Sequence, residues 1–111
     1  MIARLLLPAI LLFLFTLNAG AANIEIICRK SYYTPDQITV KKGEKVRLIL
    51  RSEDVPHGFA IDELDIATEV SPGPPKVIEF IPDRAGKFEF YCVVRCGRDH
   101  LKMRGTLIVQ D

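Results

Sequence analysis

From Ile24 onward, apolar residues alternate with polar ones in short runs, and turn residues interrupt each run before a helical period can develop. Side chains of a strand point alternately to the two faces of its sheet, so runs of this kind predict half-buried strands. The first covers residues 24–29, through Ile24-Glu25-Ile26-Ile27-Cys28, and Tyr32-Tyr33-Thr34-Pro35-Asp36 breaks it. Residues 37–41 alternate, Lys42-Gly43-Glu44 turns, and residues 45–51 put Val46, Leu48 and Leu50 on one face, which together predicts a hairpin-like unit. Residues 52–58 read as a loop carrying His57, followed by a short strand at Phe59-Ala60-Ile61. Residues 62–68 fit either alternation, through Leu64 and Ile66, or a helical turn among acids. Ser71-Pro72-Gly73-Pro74-Pro75 is a turn, and strands follow at residues 77–81, 87–92 and 105–109. Seven or so short strands separated by turns predict an all-β chain folded as a β-sandwich.

The first 22 residues do not share this pattern. Arg4 gives a short positive region, residues 5–17 are apolar apart from Thr16, and Ala19-Gly20-Ala21-Ala22 offers small residues for cleavage. This predicts a secretory signal over residues 1–22, a mature domain over residues 23–111 beginning at or near Asn23, and a periplasmic or otherwise extracytoplasmic location. The apolar core is shorter than the roughly 20 residues that span a bilayer, although its extension to Ala22 leaves an uncleaved anchor as the alternative. Glu25-Ile26-Ile27 before Cys28 is not a lipoprotein pattern.

Composition narrows the function. With Arg4 set aside, residues 23–111 carry 14 basic and 14 acidic side chains, a balance that gives no electrostatic case for binding nucleic acid. Three cysteines are an odd number, so a complete disulfide framework is excluded. Cys28, on a predicted strand, reads as a small buried hydrophobe. Asp83-Arg84 and Asp99 have no assignable catalytic partner and read as solvated turn residues.

The chemistry is concentrated in one segment. Cys92-Val93-Val94-Arg95-Cys96-Gly97-Arg98-Asp99-His100-Leu101-Lys102-Met103 gathers two thiols, an imidazole and a thioether, with the spacing Cys-x3-Cys-x3-His-x2-Met. Such soft and borderline donors suit copper better than calcium, magnesium or manganese. Taken alone, Cys92 and Cys96 could form a disulfide in an oxidising compartment. With His100 and His57 they could make a tetrahedral Cys2His2 zinc site. Neither of these readings uses Met103, which on its own could be a core filler.

The segment resembles the CuA loop of cytochrome c oxidase subunit II and nitrous oxide reductase, Cys-x3-Cys-Gly-x2-His-x2-Met, and matches it at every motif position, Gly97 included. Upstream, Asp54-Val55-Pro56-His57 is similar to the pattern that carries the first histidine of that family. The resemblance covers essentially residues 24–110 and implies a cupredoxin fold, a Greek-key β-sandwich. It further implies that Cys92 and Cys96 bridge two copper ions, that His57 and Met103 complete one of them, and that His100 and the Val94 carbonyl complete the other. Val94 departs from the Glu that many members carry, but the ligand there is the main-chain oxygen.

The function implied is one-electron transfer to or from a redox protein such as a cytochrome or a terminal oxidase. Catalytic metals need an open coordination position, and this ligand set leaves none, so no enzymatic activity is expected. A copper carrier delivering to a terminal oxidase, or a detached subunit II-like domain of an oxidase, would use the same residues.

Overall fold

The computed structural model describes residues 21–94 and 100–111. Among them, nine strands form two sheets: β1 (Ala22–Arg29), β2 (Tyr32–Thr34), β3 (Gln37–Lys41), β4 (Val46–Ser52), β5 (His57–Ile61), β6 (Ile66–Val70), β7 (Lys76–Phe80), β8 (Gly86–Tyr91) and β9 (Arg104–Gln110). One sheet has the order β2-β1-β4-β7 and the other β3-β9-β8-β5-β6. The pairs β1–β4 and β3–β9 are parallel, and the remaining pairs are antiparallel. Alternation along each strand sends Ile26, Leu48 and Leu50 from the first sheet, and Phe59, Phe90 and Leu107 from the second, into one core where each is fully buried. This is the β-sandwich that the pattern predicts.

Four local expectations change. The hairpin-like unit at residues 37–51 is not a hairpin, because β3 pairs with β9 in one sheet and β4 with β1 in the other. Both strands bury alternate residues, Ile38 and Val40 against Val46, Leu48 and Leu50. The core is satisfied when they face each other across it rather than lying side by side. The turn between them is tied to β9 and to the β7–β8 connection: the Lys42 N–H donates to the Gln110 carbonyl at 2.7 Å and the Gly43 N–H to the Pro82 carbonyl at 2.8 Å. Gly43 has φ +85°, which favours glycine.

The second change is β2. Residues 32–36 read as a break, yet Tyr33 is buried and Tyr32 to Thr34 pair with Arg29 to Ile27. Third, residues 62–68 are both things in turn: a short 3-10 turn at Asp62–Leu64, closed by Asp65 at φ 58°, precedes β6. Fourth, His57 is not on a loop but is the first residue of β5, opposite Val70. The ends of β1, β4, β6 and β8 and the starts of β5, β7 and β9 lie together, so residues 53–56, 71–75, 92–94 and 100–103 cluster at one end of the sandwich. The chain enters at the opposite end, where Ala22 lies beside Val46.

Candidate metal centre

β5 reads His57-Gly58-Phe59-Ala60-Ile61 and is buried throughout. Large side chains at 57, 59 and 61 share one face, and small ones at 58 and 60 share the other. Proline fixes its own φ and biases the preceding residue toward extended backbone, so Val55-Pro56 is suited to feeding the chain into the strand. The turn before it is closed by Ser52, whose Oγ donates to the Val55 carbonyl at 2.5 Å.

His57 is 0% exposed, and its two ring nitrogens differ. Nε2 lies 2.6 Å from Asp54 Oδ1. Asp54 also accepts the Val55 N–H at 2.6 Å and the Lys30 N–H at 2.9 Å. Partial burial pushes the Asp54 carboxyl up, but hydrogen bonds from the Lys30 amide, the His57 ring and the Val55 amide outweigh it and hold the group at about 2. At neutral pH it is therefore a carboxylate, which can only accept. The ring must donate from Nε2, and in the neutral imidazole Nδ1 is left as a bare lone pair. That atom is buried and has no hydrogen-bond partner among the described residues. A buried polar atom without a partner costs about 1–3 kcal/mol. A histidine with one nitrogen oriented by a carboxylate and the other bare is the arrangement of a metal ligand.

Cys92 follows β8 and is 4% exposed. Its Sγ accepts the Gly58 N–H at 3.2 Å and donates to the Val94 carbonyl at 2.9 Å. Two of the expected ligand atoms, the Cys92 sulfur and the Val94 oxygen, are thus in contact, and the sulfur is hydrogen-bonded to the residue that follows His57. The approach of this segment to β5 requires glycine at 58. A Cβ there would meet Val93 Cγ2 at 2.4 Å, the Val93 nitrogen at 2.5 Å and the Val94 nitrogen at 2.8 Å.

His100 begins a 3-10 turn, His100–Lys102, and is half-buried. Met103 is fully buried within the core cluster. Its N–H donates to the His100 carbonyl at 3.1 Å, and its carbonyl accepts the Cys92 N–H at 3.2 Å. Cys92, His100 and Met103 line one recess of about 350 Å³ together with Tyr91, Val93, Leu101 and Arg104. Cys96, Gly97 and Asp99 lie outside the described residues. Among the described residues, no group of three or more His, Cys, Asp or Glu side chains converges closely enough to hold a metal ion. Of the six expected ligands, Cys92 and Val94 lie against Gly58, the residue after His57, and Cys92, His100 and Met103 line the recess.

Three residues around the centre carry no role in the sequence reading. Asp54 stands three positions before His57, a spacing that a tight turn closes, and this was the available signal. Gly58 shows its role only once Val93 is seen packed over it. Tyr33 reaches the Gly58 carbonyl from β2, with its hydroxyl donating at 2.7 Å across 25 positions of sequence.

A two-sheet Greek-key sandwich with a histidine on one strand and thiol, imidazole and thioether side chains on the connection between two others defines a cupredoxin. The sequence profile of the cupredoxin-like domain family matches residues 3–109, and the chain belongs to that family. It is 35% identical over 97 residues to the nitrous-oxide reductase of Ralstonia nicotianae, covering 84% of this chain and 15% of the relative. It is 33% identical over 79 residues to cytochrome c oxidase subunit 2 of Thermus thermophilus, covering 71% of this chain and 58% of the relative. The chain thus spans less than two thirds of either protein. The fold is shared with the periplasmic domain of subunit II of cytochrome oxidase from Bradyrhizobium japonicum, with a TM-score of 0.74, 20% identity, and coverage of 81% of this chain and 85% of that one. It is also shared with auracyanin A, a "blue" copper protein from Chloroflexus aurantiacus, with a TM-score of 0.67, 15% identity, and coverage of 82% and 100%. No helix among the described residues is long and apolar enough to cross a membrane.

Proposed function

We propose that this chain is a copper-binding electron-transfer domain with a binuclear CuA-type centre. Cys92 and Cys96 would bridge the two ions, His57 and Met103 would complete one, and His100 with the Val94 carbonyl would complete the other. The observation that carries the reading is His57, whose Nδ1 is buried and bare while Asp54 holds Nε2. Copper held there supplies a one-electron couple.

The protein's own residues do the rest. Asp54 sets the tautomer that leaves Nδ1 able to bind. The Cys92 thiol proton, now shared with the Val94 carbonyl, is released when the sulfur binds metal, because thiolate is the ligand. Met103 is buried with the core and lines the recess beside Cys92 and His100, where it would shield the bound metal from water. A ligand set with no vacant position favours electron exchange over substrate chemistry, so the domain itself is not an enzyme. Its partner is a redox protein such as a cytochrome or a terminal oxidase.

Residues 1–22 act as an export signal, which places the domain outside the cytoplasm. β1 begins at Ala22, whose N–H donates to the Lys45 carbonyl at 2.8 Å, so cleavage at or near Asn23 leaves the β1–β4 ladder essentially whole. Mass spectrometry of cell fractions should find that processed form; an intact Met1 form embedded in membrane would replace a signal with an anchor. For the metal, copper is titrated into the reduced chain while bound copper per protein and the voltammetric wave are recorded. Two ions and a reversible one-electron wave support the reading. Preferential zinc uptake without a wave contradicts it.

A further inference from the structure

We infer that Tyr33 is a positioning residue for the proposed metal centre, acting through Gly58 on the Cys92 sulfur. The inference rests on the copper reading of the site, but the contacts that carry it are made by the protein alone.

The starting point is a break in the β-ladder. β5 and β8 are in register at Ala60 and Tyr91. Beyond that pair β8 ends, and Cys92 and Val93 pass close to Gly58 without extending the ladder. Residues two apart on a strand direct their main-chain groups to the same side, so Gly58, like Ala60, aims its N–H and C=O toward the β8 edge. No strand continues there to receive them. The N–H goes to Cys92 Sγ at 3.2 Å and the C=O accepts the Tyr33 hydroxyl at 2.7 Å. Tyr33 thus replaces one half of a ladder pair, and the Cys92 sulfur replaces the other.

The replacement is rigid. Tyr33 is 2% exposed, and its ring meets Phe59 edge-on at 5.9 Å and 88° and Phe90 at 5.1 Å and 74°. Contacts of this geometry hold a ring in place, and a buried phenol hydroxyl needs a partner. On its other side Gly58 is confined by Val93 and Val94, which leave no room for a methyl group. The Gly58 backbone is therefore clamped between the phenol and the 93–94 backbone, and the clamp fixes the direction of its N–H toward the sulfur. Hydrogen bonds to a ligand sulfur draw electron density from it and disfavour the oxidised metal, so they raise the reduction potential. Tyr33 acts on that hydrogen bond through the Gly58 carbonyl, from a different sheet.

Tyr33→Phe removes the hydroxyl and keeps the ring contacts. In the metal-free full chain, amide hydrogen exchange at Gly58 should quicken by up to about tenfold, the size expected for loss of one net hydrogen bond. In the copper-loaded chain the reduction potential should fall. Val109→Ala, a core truncation at the opposite end of β9, serves as the control for general destabilisation; it should leave both readings at wild-type values. Unchanged Gly58 exchange and unchanged potential in Tyr33→Phe would overturn the inference, as would an equal potential shift in Val109→Ala. If the wild-type chain takes up no copper, the reading of the site fails, and Gly58 exchange alone then decides whether Tyr33 clamps this residue.

Discussion

His57 and the described residues of the β8–β9 connection, 92–94 and 100–103, reach the same end of the sandwich by different means. His57 stands on a strand paired on both edges, with its ring nitrogen on Asp54 and its neighbours Phe59 and Ile61 in the core. Its position is set by the fold and needs no metal. The connection instead presents its donors by spacing along one segment and is tied at its base: the Cys92 N–H bonds the Met103 carbonyl, the Met103 N–H bonds the His100 carbonyl, and Arg104 Nε donates to the Leu101 carbonyl at 3.2 Å. One side is preorganised by packing and the other by sequence spacing. Damage to the strand side should therefore show first as a change in stability or affinity. Damage to the connection should show as a change in what is bound.

The largest effect is expected on the connection. Cys92→Ser or Cys96→Ser should abolish the signal of a copper pair altogether rather than halve it, because a bridging sulfur belongs to both ions. Retention of the wild-type spectrum and stoichiometry in Cys96→Ser would show that the segment does not bridge. Next comes Gly58→Ala on the strand side, where the added methyl must displace backbone at 2.5 and 2.8 Å. Overpacking of this kind costs about 1–3 kcal/mol, which thermal unfolding of the metal-free chain would register as a lowered Tm. An unchanged Tm would mean that the 93–94 segment yields easily and is not part of the scaffold.

Asp54→Asn comes third. The amide nearly preserves shape but can donate, so the His57 tautomer is no longer enforced. Removing such an orienting partner typically weakens metal binding about 10–100-fold. A competition titration with a copper chelator measures it, and wild-type affinity would show that the strand side holds His57 without its carboxylate. The smallest effect is expected at Met103→Leu, a volume-conserving change that should cost less than about 1.5 kcal/mol of stability. A thioether is a weak axial ligand that adjusts potential more than affinity. Copper should still bind, and voltammetry should show a shifted potential; an unshifted one would leave Met103 as a core residue only.

The contrast between the two sides also explains what the sequence disclosed. The connection was legible because its donors are close in the chain, and the strands were legible because burial in a sandwich imposes alternation on Val46, Leu48 and Leu50 or on Phe88 and Phe90. What stayed hidden depends on pairs far apart in sequence. Whether residues 37–41 and 45–51 form a hairpin or cross the core cannot be read from their alternation, since both arrangements bury the same faces. Tyr33 looked like part of a break because a three-residue strand has too little pattern to detect. Gly58 looked like a loop glycine, and only the closeness of Val93 gives it a reason. His57 is a ligand in the sequence by family resemblance alone, whereas the bare state of Nδ1 emerges only when the carboxylate's three hydrogen bonds are seen together.

On the proposed reading two coppers share one site, to which β5 and the residues between β8 and β9 both contribute. Electron paramagnetic resonance of the oxidised, copper-loaded chain tests it most directly. One unpaired electron spread over a pair is expected, with hyperfine splitting from two equivalent copper nuclei at two ions per chain. Splitting from a single copper nucleus, at one ion per chain, would contradict it.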